Sequence, residues 1–154
     1  MTSGKQYLKK SSDLKSGVLS LLEPPSNKSI FYRGPDFLKK HLILKGYSVT
    51  DSFSLDTGTV ILFKVLSEKN IDTLKYIKDI TEVKQSICLI SIDQSISREG
   101  NLTIFNRLMN YFRFSIPAYK ISFYFLREGF SDISQKWPQG LGSLVITRGY
   151  TLTQ

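Results

Sequence analysis

The sequence has little of the chemistry on which most enzyme sites are built. It contains one cysteine and one histidine among 154 residues. A single cysteine cannot form an internal disulfide, which excludes a disulfide-stapled secreted scaffold. One Cys and one His also leave almost no ligands for a zinc site and no partners for a Cys–His or Ser–His catalytic arrangement. The sequence therefore predicts no metal site, and no catalytic residue can be assigned from it.

Phosphate-binding glycine motifs and long apolar runs are absent as well. Neither Gly-x-x-x-x-Gly-Lys-Ser/Thr nor Gly-x-Gly-x-x-Gly occurs, so the sequence predicts no nucleotide cofactor. Its apolar runs are much shorter than the roughly 20 residues that a membrane-spanning helix needs. Residues 1–12 are polar and lysine-bearing, without the apolar centre of a secretory signal. These absences predict a cytoplasmic protein with no integral membrane segment.

The composition is that of an ordinary globular domain with a basic surface. Hydrophobic residues make up 41% and charged residues 22%, and the formal net charge is +8. The basic excess is concentrated in residues 1–40, which hold eight basic and three acidic residues. We expect residues 1–28 to form a flexible basic N-terminal arm with a short helix, ended by Pro24-Pro25, and residues 29–154 to form a single α/β domain.

Strand and helix patterns alternate along the first part of this domain. Residues 29–33 form a strand candidate, and an amphipathic helix follows between Pro35 and Gly46. The apolar, β-branched residues 57–65 and the run 86–92 are typical of strands buried on both faces. Helices are predicted between and after them, over 70–84 and 102–114.

The last third of the chain has a different pattern. Apolar and polar residues alternate over 119–126, which predicts a strand with one polar face. Residues 127–142 contain Trp137-Pro138 and two glycines and are interpreted as a loop. Residues 143–152 then form a closing strand that could pair with 119–126. Together these elements predict a three-layer α/β fold with a mostly parallel or mixed open sheet flanked by helices.

Ligands of open α/β sheets bind beyond the carboxyl ends of the strands. Three positions of this sequence follow predicted strands: Lys64, Asp93 and the pair Arg127-Glu128. Asp93 is the most suggestive, because a carboxylate at such an end can hold a metal or take a phosphoryl group. The alternative is that Asp93 hydrogen-bonds the backbone of its own loop.

The histidine and the cysteine have simple structural explanations. His41 lies on the apolar stripe of the first clear helix, which is typical of a partly buried structural histidine. Cys88 lies inside the apolar run 86–92 and is interpreted as a small buried hydrophobe, not a reactive thiol.

Basic and aromatic residues are interleaved between 105 and 127, a pattern that suits partner binding. Arginine and aromatic side chains anchor protein interfaces, and the same types contact phosphates and stack on bases. Trp137 is the best single anchor in the loop that follows. The predicted binding residues are Lys9, Lys10, Lys15, Arg107, Tyr111, Arg113, Lys120, Tyr124, Arg127 and Trp137.

Three function hypotheses follow. The leading one is a non-enzymatic binding module, regulatory or assembling, that binds a protein partner within a larger complex, with DNA or RNA as the alternative ligand. The second is an enzyme with a minimal site at the strand ends near Asp93. The third is attachment to an anionic membrane surface through residues 1–22, for which the apolar stripe is weak.

Overall fold

A computed structural model of the chain describes residues 13–65, 70, 72–73, 87–94, 118–137 and 144–151. These residues form a six-stranded mixed sheet in the order β2-β1-β3-β4-β6-β5. The strands are β1 (Ser29–Arg33), β2 (Val49–Thr50), β3 (Thr57–Phe63), β4 (Cys88–Gln94), β5 (Phe130–Lys136) and β6 (Leu144–Thr151). The first four are parallel, and β6 is antiparallel to both of its neighbours, β4 and β5. The predicted α/β class with a mixed sheet is confirmed.

Helices on both faces of the sheet complete three layers. On one face lie α1 (residues 13–21) and α2 (Asp36–Leu44), which pack over Ile30, Ile61 and Ile90. On the other lies α3 (Ala118–Arg127), which packs over Val60, Leu89 and Val145. Successive residues of β3 and β4 alternate between the two cores, as the two-residue period of a strand requires.

The first two predicted strands and the helix between them are confirmed. Pro35 precedes α2 as its N-cap residue and Asp36 is its first helical residue. Gly46 adopts a φ of 94° just after the helix, the left-handed conformation that favours glycine at a helix end. The predicted strand over 86–92 is also present, starting and ending two residues later as β4. The short edge strand β2 has no pattern of its own in the sequence.

The predicted strand over 119–126 is wrong. Those residues belong to α3, where Ile121, Tyr124 and Phe125 are buried at helical spacing. The segment carries apolar residues at both two-residue and three-to-four-residue intervals, so alternation alone did not distinguish strand from helix.

The predicted loop over 127–142 is also wrong in its first half, because residues 130–136 form β5. This strand lies at the edge of the sheet and is polar, which is tolerated where one side of a strand has no neighbour. The closing strand is confirmed as β6, but it pairs with β4 and β5, not with residues 119–126.

The packed core begins before the predicted domain boundary at residue 29. Leu14, Val18 and Leu21 of α1 are buried against the sheet. Residues 13–21 are therefore part of the domain and not of an arm. The predicted arm residues 1–12 and the predicted helix over 102–114 lie outside the described residues, as does most of the helix predicted over 70–84; Asn70, Asp72 and Thr73 of that segment are helical.

Candidate functional site

The carboxyl ends of the four parallel strands form the edge at which α/β folds usually bind ligands. The chain leaves β1 toward β2 on one side and returns to β3 on the other, so the strand order reverses between β1 and β3. Lys64 and Asp93 lie at this edge, as predicted. Arg127-Glu128 does not, because it ends a helix.

Asp93 is held inside the protein and is bonded to the neighbouring strand. Its carboxyl group is 1% exposed, and one oxygen accepts a hydrogen bond of 2.9 Å from the Val65 amide. Burial raises the pKa of Asp93 to about 6, against the opposing effects of the nearby Ser91 side chain and of this amide. Among the described residues, the second carboxyl oxygen has no hydrogen-bond partner. The carboxyl group thus ties the segment after β3 to β4, while residues 95–100 of the loop that it is expected to cap lie outside the described residues.

The backbone that leaves β3 is fixed by several further contacts. Lys64 has a φ of 64°, a conformation that is uncommon for residues other than glycine. Its amide donates to the Ile92 carbonyl at 2.9 Å. The Asn70 side-chain amide donates to the carbonyls of Phe63 and Lys64, both at 2.7 Å. The turn from Phe63 to Val65 is thus held in place by its surroundings.

Aromatic side chains fill the space beside Gly34, directly after β1. A Cβ atom placed on Gly34 would lie 2.3 Å from the Phe63 ring and 2.8 Å from the Tyr32 hydroxyl oxygen. The Tyr32 hydroxyl donates to the Pro35 carbonyl at 2.6 Å, and its ring meets Phe63 edge-on. In a nucleotide-binding fold the glycine at this turn lets the backbone approach a phosphate. Here it accommodates the ring of Phe63.

Among the described residues, no group of three or more His, Cys, Asp or Glu side chains could hold a metal ion. None of the described helices is long and apolar enough to cross a membrane. His41 is half-buried, and burial together with nearby Lys15 and Lys45 lowers its pKa.

The predicted binding residues are not all brought together. Lys9, Lys10, Arg107, Tyr111 and Arg113 lie outside the described residues. Lys15 lies on the opposite layer from α3, with its ammonium nitrogen 6.0 Å from the centre of the Phe37 ring.

Of the residues near α3, Lys120, Arg127 and Trp137 are exposed. Tyr124 was predicted on an outward strand face but is buried, because the segment is a helix. Its hydroxyl has no hydrogen-bond partner, and the Arg127 guanidinium lies 5.1 Å from its ring centre. Burial raises the pKa of Tyr124, with the Glu128 charge acting in the same direction.

The structure exposes three large apolar residues of α3 that are not among the predicted binding residues. Tyr119, Phe123 and Leu126 are 70%, 65% and 61% exposed. Their spacing of four and three residues places them on one stripe of the helix. Lys120 and Arg127 lie along one side of that stripe. We call these five residues the outer face of α3; the same spacing, read as helical, would have found it in the sequence.

No family model matches the sequence, and no curated protein matches it. Solved structures do match it. They include the S-adenosylmethionine-dependent methyltransferase SibL in its apo form, at 15% identity and a TM-score of 0.44. The pyocyanin biosynthetic protein PhzM matches at 11% identity, with a TM-score of 0.46. The N,N-8-amino-8-demethyl-D-riboflavin dimethyltransferase RosA from Streptomyces davawensis matches at 15% identity, with a TM-score of 0.48.

These alignments cover 80%, 81% and 89% of this chain. They cover 43%, 43% and 45% of the three proteins, so this chain spans less than half of their length. At such identities and TM-scores no activity follows from the likeness.

Proposed function

We propose that this domain is a non-enzymatic binding module that receives a protein partner on the outer face of α3. The observation that carries the proposal is that α3 is apolar on both sides. Ile121, Tyr124 and Phe125 face the core, while the stripe of Tyr119, Phe123 and Leu126 faces outward. A contiguous exposed stripe of large apolar residues often marks a site of protein interaction. A partner that covers the outer stripe would complete this arrangement.

The charges beside the stripe indicate the chemistry of the partner. Lys120 and Arg127 are both exposed and flank the apolar stripe on one side. Arg127 also forms an exposed ion pair with Glu128 at 3.6 Å, which leaves Lys120 as the stronger of the two attractions for an acidic group. Aromatic residues and arginine are the usual anchors of protein interfaces, and charges at the rim select the partner. We therefore expect an amphipathic segment with an acidic edge, docked with its apolar side on Phe123.

The carboxyl edge supports a non-enzymatic role. The carboxyl group of Asp93 is buried and bonded to the backbone, and Phe63 occupies the space beside Gly34. An enzyme that used Asp93 as a reacting group would need its carboxyl group accessible to a substrate.

A nucleic acid is the second candidate ligand for the same surface. Tyr119 and Phe123 are exposed aromatic rings beside two cations, an arrangement that can stack bases and contact phosphates. Its signature is electrostatic, because each neutralised phosphate releases counterions and makes affinity fall steeply with salt.

Site-specific crosslinking tests the protein partner. A photo-reactive phenylalanine analogue placed at position 123 should crosslink one protein in the native host. The same analogue at Leu55, another exposed apolar residue outside α3, should not. The crosslinked protein, once purified, should bind the wild type, and Phe123→Ser with Leu126→Ser should weaken binding at least tenfold. Equal binding by this double variant and by Leu55→Ser would overturn the proposal.

Direct binding to labelled DNA and RNA across a salt series tests the alternative. The chain should be compared with residues 13–154, since a truncation at residue 29 would remove the buried α1. Salt-sensitive binding that survives truncation and is lost in Lys120→Ala with Arg127→Ala would favour a nucleic acid over a protein.

A further inference from the structure

The C-terminal end of α2 carries two large apolar residues that face water. Leu44 is 83% exposed and Ile43 is 51% exposed. Both lie in the last turn of the helix, which ends shortly before β2 begins, at the amino edge of the sheet opposite the carboxyl edge. Because α2 and α3 lie on opposite faces of the sheet, these residues are independent of the outer face of α3.

The backbone that presents these side chains is fixed by hydrogen bonds. The Gly46 amide donates to the Ile43 carbonyl at 3.0 Å. The Tyr47 hydroxyl donates to the Glu23 carbonyl at 2.6 Å, which joins the turn after α2 to the segment after α1. The exposure of Leu44 is therefore a property of a capped helix end and not of a loose loop.

Three lysines surround this apolar tip. Lys40 lies one helical turn before Leu44, and Lys45 follows Leu44 directly. Burial lowers the pKa of His41, and the charges of Lys15 and Lys45 act in the same direction, so both ammonium groups lie near this ring. No acidic group of the described residues opposes them there. Within the described part of the chain, none of the three lysines forms an ion pair.

The acidic residues of this layer lie away from the tip. Asp36 begins α2 and is at the other end of the helix. Asp51 is paired with Lys39 at 3.2 Å. Asp13 and Glu23 lie at the two ends of α1. The tip is therefore positively charged, and we call it the end surface of α2, made of Lys15, Lys40, Ile43, Leu44 and Lys45.

The residue types of this surface differ from those of the outer face of α3. Its cations are lysines and its exposed apolar residues are aliphatic, whereas α3 exposes an arginine and aromatic rings. Protein interfaces are depleted in lysine, and single-stranded nucleic acids stack their bases on aromatic rings. Lysines around a protruding leucine suit an anionic lipid surface instead, because lysines attract the headgroups and an aliphatic side chain dissolves among the acyl chains.

We propose that the end surface of α2 binds the anionic surface of a lipid bilayer. Leu44 and Ile43 enter the boundary between headgroups and acyl chains, while the three lysines keep their ammonium groups among the headgroups. Each lysine near an anionic bilayer strengthens binding by about fivefold. Such binding is reversible, and it weakens as salt screens the charges.

Vesicle co-sedimentation of the full chain tests the proposal. The vesicles contain phosphatidylcholine alone or phosphatidylcholine with about one third phosphatidylglycerol, which is anionic. We expect the affinity for the anionic vesicles to be at least about tenfold higher, since the lysines gain nothing from a neutral surface. Equal binding to both kinds of vesicle would overturn the proposal.

The apolar contribution is tested by a matched pair of double variants. Ile43→Ser with Leu44→Ser should weaken binding to anionic vesicles at least about fivefold, because two apolar side chains no longer enter the bilayer. Phe123→Ser with Leu126→Ser removes as many exposed apolar side chains from the opposite face of the sheet and should change binding less than about twofold. Equal losses in the two variants would contradict the assignment to α2.

The charged contribution has its own matched pair. Lys40→Gln with Lys45→Gln should weaken binding to anionic vesicles at least about tenfold. Lys120→Gln with Arg127→Gln removes the same charge from α3 and should have a several-fold smaller effect. If Lys40 and Lys45 prove necessary for binding DNA or RNA while the chain ignores vesicles, the surface binds nucleic acid and the proposal is wrong.

The single histidine of the chain reports contact directly. Soluble dihexanoyl phosphatidylglycerol should raise the pKa of His41, measured by NMR, because its negative headgroup offsets the charges of Lys15 and Lys45. Dihexanoyl phosphatidylcholine should leave this pKa unchanged, and so should inorganic phosphate if the acyl chains contribute to binding. An unchanged pKa in the presence of the anionic lipid would mean that the lipid binds elsewhere and would overturn the proposal.

Discussion

The two edges of the parallel sheet differ in how completely they are filled. At the carboxyl edge, Phe63 packs against Gly34 and the Asp93 carboxyl group binds the Val65 amide. At the amino edge, the segment after α1 stands away from the strand starts and leaves a cavity of about 230 Å³.

This difference concerns the tendency of α/β folds to bind ligands at the carboxyl ends of their strands. That tendency identifies the edge of the sheet where a site most often forms, but it does not show that a given chain has a site there. The tendency arises because helix N-termini and strand ends converge at the carboxyl edge. In this chain, side chains occupy that edge where it is described. Function must therefore be argued from the residues at each edge and from the exposed faces of the helices.

The largest expected effect is at Phe63, which closes the carboxyl edge. Phe63→Ala should lower the free energy of unfolding by about 3–5 kcal/mol, because it removes a buried ring and leaves a cavity. Urea denaturation measures the change. A loss below about 1 kcal/mol would mean that the ring does not fill this edge.

A double-mutant cycle tests the contact between Gly34 and the Phe63 ring directly. Gly34→Ala should cost about 1–3 kcal/mol alone, because the added methyl group meets the Phe63 ring. In the Phe63→Ala background the same substitution should cost less by at least about 0.5 kcal/mol, since only the Tyr32 hydroxyl oxygen, at 2.8 Å, is left to move aside. Equal costs in both backgrounds would contradict the packing described.

The next effect is the pH dependence that Asp93 imposes. Its pKa is about 6 in the fold, against 3.8 for an ordinary aspartate. The folded state therefore binds the proton more tightly, and the stabilisation present below pH 4 is lost as the pH rises through 6. We expect the free energy of unfolding of the wild type to fall by roughly 2–3 kcal/mol relative to that of Asp93→Asn, which cannot titrate, as the pH rises from below 4 to above 6.

Denaturation at a series of pH values measures this dependence. Asp56→Asn, at an exposed position, controls for the general effect of removing a negative charge. A wild-type profile parallel to that of Asp93→Asn would show that the carboxyl group titrates as it does in water.

The smallest effect is expected at Gly58, on the amino edge. A Cβ atom there would lie 2.6 Å from the Cδ atom and 2.9 Å from the Cβ atom of Lys28. Lys28 is exposed, so its Cδ atom can swing aside, while the contact with its Cβ atom requires a small shift of the chain. Gly58→Ala should therefore cost about 1 kcal/mol, less than Gly34→Ala, at which a buried ring must move. A cost equal to that of Gly34→Ala would mean that the two edges are equally rigid.

Much of the fold could be predicted from the sequence, because strands of a buried parallel sheet consist of continuous runs of apolar residues. Residues 57–63 and 88–92 are such runs, and Pro35 and Gly46 mark the helix between β1 and β2. The edge strand β5 could not be predicted in this way. Its polar residues are stabilised by pairing with β6, a contact distant in sequence.

Less of the candidate sites could be predicted, because they too depend on contacts between residues that are distant in sequence. The exposed stripe of Tyr119 and Phe123 cannot be recognised when residues 119–126 are interpreted as a strand. Asp93 was found from its place after an apolar run, but its partner Val65 depends on how two strands lie side by side. The cavity at the amino edge is lined by residues between 22 and 150, and no local sequence pattern indicates that residues so far apart lie together.

The position of β6 has a consequence for how the sheet is assembled. It lies between β4 and β5 and is the last of the described strands to be synthesised. Until it arrives, β5 has no partner and β4 presents an open edge of unpaired amides and carbonyls. β5 joins the sheet only through β6, so these two consecutive strands can pair first and then dock on β4. That docking is a slow, non-local step, and until it is complete the open edge of β4 promotes association between chains. We expect the nascent chain to be most vulnerable to aggregation in the interval between the synthesis of residues 94 and 151.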